Sequence, residues 1–192
     1  MITGIYGGSF NPIHLGHTAL GEWLVRHHHL DEIWFMVSPQ NPLKPAEALL
    51  DDEARLKLTR LAVGRKNRLK VSDFEFQLPR PSYMVHTLEA LRQAYPDREF
   101  VLVIGADNWQ RFPHWYQSDE ILRHHRLIIY PRPGFDIDTS TLPSGIQIVN
   151  TPLLDISSTE IREAIAHNPA FDGEGLAPRV WAEIQTQHYY YT

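Results

Sequence analysis

The 192-residue chain contains no cysteine. This excludes disulfides, thiolate metal sites and a cysteine nucleophile, and it suits the reducing cytosol in which we expect the protein to work. No stretch approaches the roughly 20 apolar residues that span a bilayer, and the first residues lack the basic segment and apolar core of a signal sequence. No membrane partner is expected. An excess of positive charge is also missing: 18 Lys and Arg stand against 23 Asp and Glu, for a formal net charge of -5. A broad nucleic-acid surface is therefore excluded, while a local pocket for a small anion is not. The sequence also lacks G-x-G-x-x-G after its first apolar run, G-x-x-x-x-G-K-[ST] anywhere, and G-x-S-x-G. Ordinary dehydrogenases, P-loop NTPases and serine hydrolases are disfavoured accordingly.

What is present reads as an ordinary globular chain, 43 % hydrophobic and 21 % charged. We expect one domain over residues 1–192, with a core over about 1–150 and a helical part over about 155–192. Apolar, β-branched runs recur at residues 2–6, 32–38, 69–74, 100–104 and 127–130, with a weaker one at 146–149. Between them Leu20, Trp23, Leu24 and His27 keep a helical spacing. So do Ala54, Leu58, Leu61 and Ala62, and then Met84, Leu88, Leu91 and Tyr95 with Ser82 as a candidate N-cap. Two more helices are expected over residues 157–167 and 176–187. This alternation predicts an α/β fold, a Rossmann-like doubly wound parallel sheet with C-terminal helices. Ligands of such sheets bind beyond the carboxyl ends of the strands. The first run ends at GGSFNPIH and the fourth at GADN, so both turns should face one crevice. Residues 131–152 read as a long connection; residues 136–145 and the closing HYYYT carry no readable role.

Two segments carry the strongest chemical signal. In GGSFNPIHLGH, residues 7–17, two glycines and an Asn-Pro turn lead from a strand into a helix. A helix start presents unpaired N–H groups and a partial positive charge, which suits phosphate. His14 and His17, one turn apart, would aim donors at the same phosphate oxygens. They lack the third ligand of a catalytic zinc site, so no metal ligands are expected. In DISSTEIREAI, residues 155–165, Ser157, Ser158 and Thr159 precede a helix bearing Arg162, which reads either as a second anion cradle or as a well-capped helix. The loop SPQNPLKP carries Lys44, either solvated or swung over the crevice. GADNWQRFPHWY offers Asp107 with Trp109, Phe112, Trp115 and Tyr116, as core or as a stacking wall for a flat ring. His27, His28 and His29 read as a solvated helix end, and His124 and His125 as surface residues.

GGSFNPIHLGH and ISSTEIR resemble the two defining motifs of the nucleotidyltransferase α/β-phosphodiesterase superfamily. PQNPLK, SYMVHTL, GADNWQRFPHWY and PRPG make the chain similar to the bacterial nicotinate-nucleotide adenylyltransferases, which join ATP and nicotinate mononucleotide into deamido-NAD and pyrophosphate. The resemblance covers the chain almost end to end, although the family usually has threonine where Met84 stands. It implies that Gly7, Gly8, Ser9 and Phe10 hold ATP through the backbone, with His14 and His17 on its phosphates. Ser157, Ser158, Thr159 and Arg162 would take the β- and γ-phosphates, and Gly105 and Asp107 would lie near the adenosine. Lys44, Thr87, Trp115, Tyr116 and Arg132 would surround the nicotinate nucleotide, and Mg²⁺ would accompany ATP. The partners implied are ATP and nicotinate mononucleotide; a homo-oligomer stays open. Alternatives are a superfamily transferase with another acceptor, nicotinamide mononucleotide or phosphopantetheine, and a non-catalytic dinucleotide-binding sensor.

Overall fold

A computed structural model describes residues 1–39, 49–152 and 156–191. Six strands form one sheet: β1 (Ile2–Gly8), β2 (Glu32–Val37), β3 (Leu69–Ser72), β4 (Glu99–Gly105), β5 (Arg126–Tyr130) and β6 (Ile146–Ile148). All pairs are parallel and the strand order is β3-β2-β1-β4-β5-β6. The order reverses between β1 and β4, which places the crevice of a doubly wound sheet at their carboxyl ends. Continuous apolar runs suit strands covered on both faces.

The two-residue period of the strands sorts their side chains into two cores. Tyr6, Phe35, Val37, Val103 and Ile128 enter one; Ile5, Met36, Leu102, Ile104 and Ile129 enter the other. The first face is covered by α1 (Leu15–His27), α2 (Asp52–Val63), α6 (Ser158–His167) and α7 (Pro178–Gln187), through Leu24, Leu58, Ile161, Val180 and Ile184. The second is covered by α3 (Met84–Ala94) and α5 (Ser118–His124), through Leu88, Leu91 and Ile121, with α4 (Ala106–Arg111) beside it. Fully burying one such aliphatic side chain is worth about 1.5–3 kcal/mol. These helices therefore dock by their apolar stripes.

The expected α/β architecture is the observed one. The differences lie at boundaries. Helix α1 begins at Leu15, so His17 sits inside it and His14 caps it. Strand β3 stops at Ser72 and residues Phe74–Gln77 wind into a 3-10 turn. Tyr83, not Ser82, is the N-cap position of α3. Helices α4 and α5, of 6 and 7 residues, are too short to show a periodicity. His28 and His125 are half-buried rather than exposed: His28 packs on Trp23, and His125 lies 3.3 Å from the Phe100 carbonyl. Among the described residues no helix is long and apolar enough to cross a membrane.

Candidate active site

The loop leaving β1 turns sharply at Phe10, whose φ of 43° lies in the left-handed region. Its ring folds back over Gly8, where an added Cβ would lie 3.0 Å from it. A side chain at position 8 would force that buried ring to shift by a few tenths of an ångström. The ring then packs edge-on to Tyr6 and to His17, at 5.7 and 5.2 Å between centroids. His14, in extended conformation at the cap of α1, stacks its ring on that of His17 at 3.7 Å. The backbone N–H of His14 donates to Nδ1 of His17 at 3.2 Å. With Nδ1 accepting, a neutral His17 carries its hydrogen on Nε2, a donor that needs no extra proton. His14 is buried, and burial first, then the positive charge of Arg132, lowers its pKa from 6.5 to about 4. It is therefore neutral at pH 7 and donates through one nitrogen only.

The second motif lies directly on this loop. Ser158 Oγ donates to the Pro12 carbonyl at 2.9 Å, and Arg162 Nη1 donates to the Asn11 carbonyl at 2.7 Å. The start of α6 is thereby tied to the turn that precedes α1, 146 and 151 residues away in sequence. The hydroxyls are more committed than their pattern suggested. Ser157 Oγ accepts the N–H groups of Thr159 and Glu160, capping its own helix, and Thr159 Oγ1 accepts from Arg162 Nη2.

Two supports of this loop escaped the sequence reading. Arg55 on α2 is fully buried. Its Nη1 donates to the carbonyls of Ser9 and Ser38 at 2.6 and 2.8 Å, Nη2 to Pro39 and to Asp52 Oδ1, and Nε to Leu50. One guanidinium thus joins the segments leaving β1 and β2. At the other end of the chain, Tyr190 donates its hydroxyl to Asn11 Oδ1 at 2.9 Å, an atom that also accepts the N–H of Leu50. The aromatic tail without a readable role is a brace for the Asn-Pro turn. An arginine in an amphipathic helix gives no sequence signal of burial.

At the end of β4 the side chain of Asp107, the ring of Tyr130 and the stem of Arg132 all crowd Gly105; a Cβ there would lie 2.4, 3.1 and 3.2 Å from them. That space lets Tyr130 reach Tyr6, hydroxyl to hydroxyl at 3.3 Å. Both rings are buried, and burial raises both phenol pKa values. Arg132 lies over the Tyr130 ring at 5.4 Å with its Nε 3.7 Å from Asp107 Oδ1.

The Tyr6–Tyr130 pair lines two chambers at once. The smaller is completed by His14, His17, Arg132, Thr151 and Ile156. The larger, about 910 Å³ counting space open to solvent, runs from Gly7 and Gly8 to Tyr83, Trp115 and Tyr116, over a floor that includes Glu75 and Ser82. Tyr116 is exposed at its rim, 4.9 Å from Tyr83 and 5.6 Å from His86 between ring centroids. Arg132 sits with the histidines rather than with Trp115 and Tyr116. Thr87 is fully buried and does not line the larger chamber; its hydroxyl donates to Glu75 Oε1 at 2.9 Å. Lys44 lies outside the described residues. Among those described, no three His, Asp or Glu side chains converge as a metal site.

The profile of the cytidylyltransferase-like family matches residues 5–164. A Bacteroides thetaiotaomicron protein named as a probable nicotinate-nucleotide adenylyltransferase is 51 % identical over 183 residues, covering 95 % of this chain and 90 % of the relative. A protein of the same name from Bacteroides fragilis is 53 % identical over 164 residues, covering 85 % and 82 %. The structure of Plasmodium falciparum nicotinic acid mononucleotide adenylyltransferase complexed with NaAD superposes with a TM-score of 0.85 at 21 % identity, covering 98 % of this chain and 97 % of that one.

Proposed function

The chain belongs to the cytidylyltransferase-like family, and on that footing we propose that it is a nicotinate-nucleotide adenylyltransferase, making deamido-NAD and pyrophosphate from ATP and nicotinate mononucleotide. The observation that carries the reading is the pair of chambers that share the Tyr6–Tyr130 wall, one lined by histidines and an arginine, the other by aromatic rings. A triphosphate suits the first and a pyridine nucleotide the second.

In the reaction an oxygen of the mononucleotide phosphate bonds to the α-phosphorus of ATP as the bond to the β-phosphate breaks. A phosphate monoester has a second pKa near 6, so the nucleophile is largely dianionic at neutral pH and no general base is needed. The protein must hold two repelling anions in line and stabilise charge as it moves onto pyrophosphate. His17 does this through its Nε2–H, Arg132 through its charge, and the start of α1 through its partial positive charge, since the N–H groups of Leu15, His17 and Thr18 already donate to the carbonyls of Gly175 and His14. Arg162 spends one of its five N–H donors on the loop and one on Thr159 of its own helix, and keeps others for the β- and γ-phosphates. Gly7, Gly8 and Gly105 line the larger chamber, so of the residues the resemblance gives to ATP we assign these three to the boundary the two substrates share, with Ser9 and Phe10 toward ATP and Asp107 near the adenosine. Trp115 stacks on the pyridine ring beside Tyr116. Thr87 serves the site through Glu75.

Mg²⁺ usually keeps several waters and is held by one or two carboxylates plus substrate phosphates, so a multi-ligand protein cage is not required. Asp107 fits as the carboxylate that would hold it, because its Oδ1 is buried and without a hydrogen-bond partner among the described residues. When bound with ATP, the ion neutralises triphosphate charge.

The aromatic lining favours a pyridine nucleotide over phosphopantetheine. Pyrophosphate release with ATP and each candidate acceptor tests the assignment. Release is expected with nicotinate mononucleotide well above nicotinamide mononucleotide and phosphopantetheine; no release with any acceptor contradicts it and favours a sensor.

A further inference from the structure

The residues on either side of α7 grip the turn that leads into α1. Before the helix, the Gly175 carbonyl accepts the N–H of Leu15 at 2.8 Å; after it, the Tyr190 hydroxyl donates to Asn11 Oδ1 at 2.9 Å. The helix between these two contacts is anchored through Val180 and Ile184, both fully buried. The segment after α7 is bent to make the second contact: His188 and Tyr190 have φ of 56° and 67°, in the left-handed region that non-glycine side chains rarely adopt. Such backbone costs free energy and persists only where the surrounding structure over-determines it. Tyr190 supplies that structure by packing its ring on the core beneath α1, α2, α6 and α7 while its hydroxyl reaches Asn11.

Asn11 joins this contact to the phosphate-binding groups. Its side-chain oxygen takes the Tyr190 hydroxyl and the Leu50 N–H, while its backbone carbonyl takes Arg162 Nη1 at 2.7 Å. The anchor of the guanidinium is therefore the residue whose side chain Tyr190 holds, and His14 follows three residues later. We propose that Tyr190 is a positioning residue for adenylyl transfer: by holding the Asn11 side chain it keeps the Asn11 carbonyl, and with it Arg162, in register with His14 and His17 around the triphosphate. This rests on the adenylyltransferase reading and adds to it a residue that lines neither chamber. In-line attack depends on placement, and a displacement of about 1 Å in a positioned group can cost about 100-fold in rate.

The test is steady-state kinetics of Tyr190→Phe, which keeps the ring and loses only the hydroxyl, at a temperature well below its melting point. Turnover is expected to fall about fivefold or more. The KM for nicotinate mononucleotide should stay within about twofold, because neither Asn11 nor Arg162 lines the chamber given to that substrate. A merely stabilising contact would lower the melting temperature and leave the turnover of the folded enzyme unmoved, so unchanged turnover overturns the proposal. Asn11→Leu removes the acceptor, and adding Tyr190→Phe to it should slow turnover by no more than about twofold further, since Tyr190 acts through that oxygen. Losses that multiply in the double variant overturn the proposal. Should Asn11→Leu fail to fold, the imidazole nitrogens of His17 decide: their NMR shifts should move in Tyr190→Phe as the His14–His17 stack is displaced, and unmoved shifts overturn it. Pyrophosphate release by the wild type with an equally active Tyr190→Phe overturns this proposal alone; no release by the wild type with any acceptor overturns the activity beneath it as well.

Discussion

Tyr6 on β1 and Tyr130 at the end of β5 bring their hydroxyls to 3.3 Å across the intervening strand β4. They can do so because β4 ends at Gly105, where a Cβ would lie 3.1 Å from Cζ of Tyr130. The contact divides the crevice, so two anionic substrates have separate walls and one common boundary. Gly105→Ala should push Tyr130, Asp107 and Arg132 together out of place. We expect turnover to fall by about tenfold or more with the fold retained, read by steady-state kinetics alongside circular dichroism.

Replacing His17 by alanine removes a donor aimed at charge that develops on the leaving group. Turnover should fall by about 100-fold or more while ATP affinity changes by only a few-fold, because the contact is worth most in the transition state. An ordinary turnover number in this variant, with ATP binding checked by calorimetry, refutes the role.

His14 gives a pH signature. Its folded pKa of about 4 lies below the ordinary 6.5, so the unfolded chain takes up a proton that the folded one refuses. Stability from the neutral ring is full above pH 6.5 and is lost as pH falls from there toward 4; the full shift corresponds to about 3 kcal/mol. His14→Asn should flatten the melting-temperature profile over that interval. His28 and His125, whose pKa values are also lowered by burial, remain in both proteins and cancel in the difference.

Arg55→Met leaves four backbone carbonyls without their buried donor. It should cost about 3 kcal/mol or more in denaturant unfolding, and Arg55→Lys should recover only part of this because an ammonium has three donors for five acceptors. Tyr190→Phe, losing one hydrogen bond to Asn11, should cost about 1 kcal/mol.

The sheet was legible because its strands are buried on both faces and read as unbroken apolar runs, and because Gly7 to His17 and Ser157 to Arg162 each combine a turn, a cap and donors at fixed spacing. The commitments of those donors were not legible. Whether Ser157 faces an anion or caps its own helix depends on which way one hydroxyl turns, and Ser158 and Arg162 found carbonyls about 150 residues away. Thr87 sat in a recognisable motif, yet its neighbour across the fold, Glu75, took its hydroxyl. Arg55, Glu75 and Tyr190 belong to no local pattern, since what distinguishes them is burial, a property of the folded chain.

The most direct measurement is a crystal structure with a non-hydrolysable ATP analogue and nicotinate mononucleotide bound together. The account predicts the triphosphate against His17, Arg132 and the start of α6, the pyridine ring beside Trp115 above Glu75, and the Tyr6–Tyr130 pair between the two. A triphosphate bound away from His17, or both ligands on the same side of those tyrosines, contradicts it.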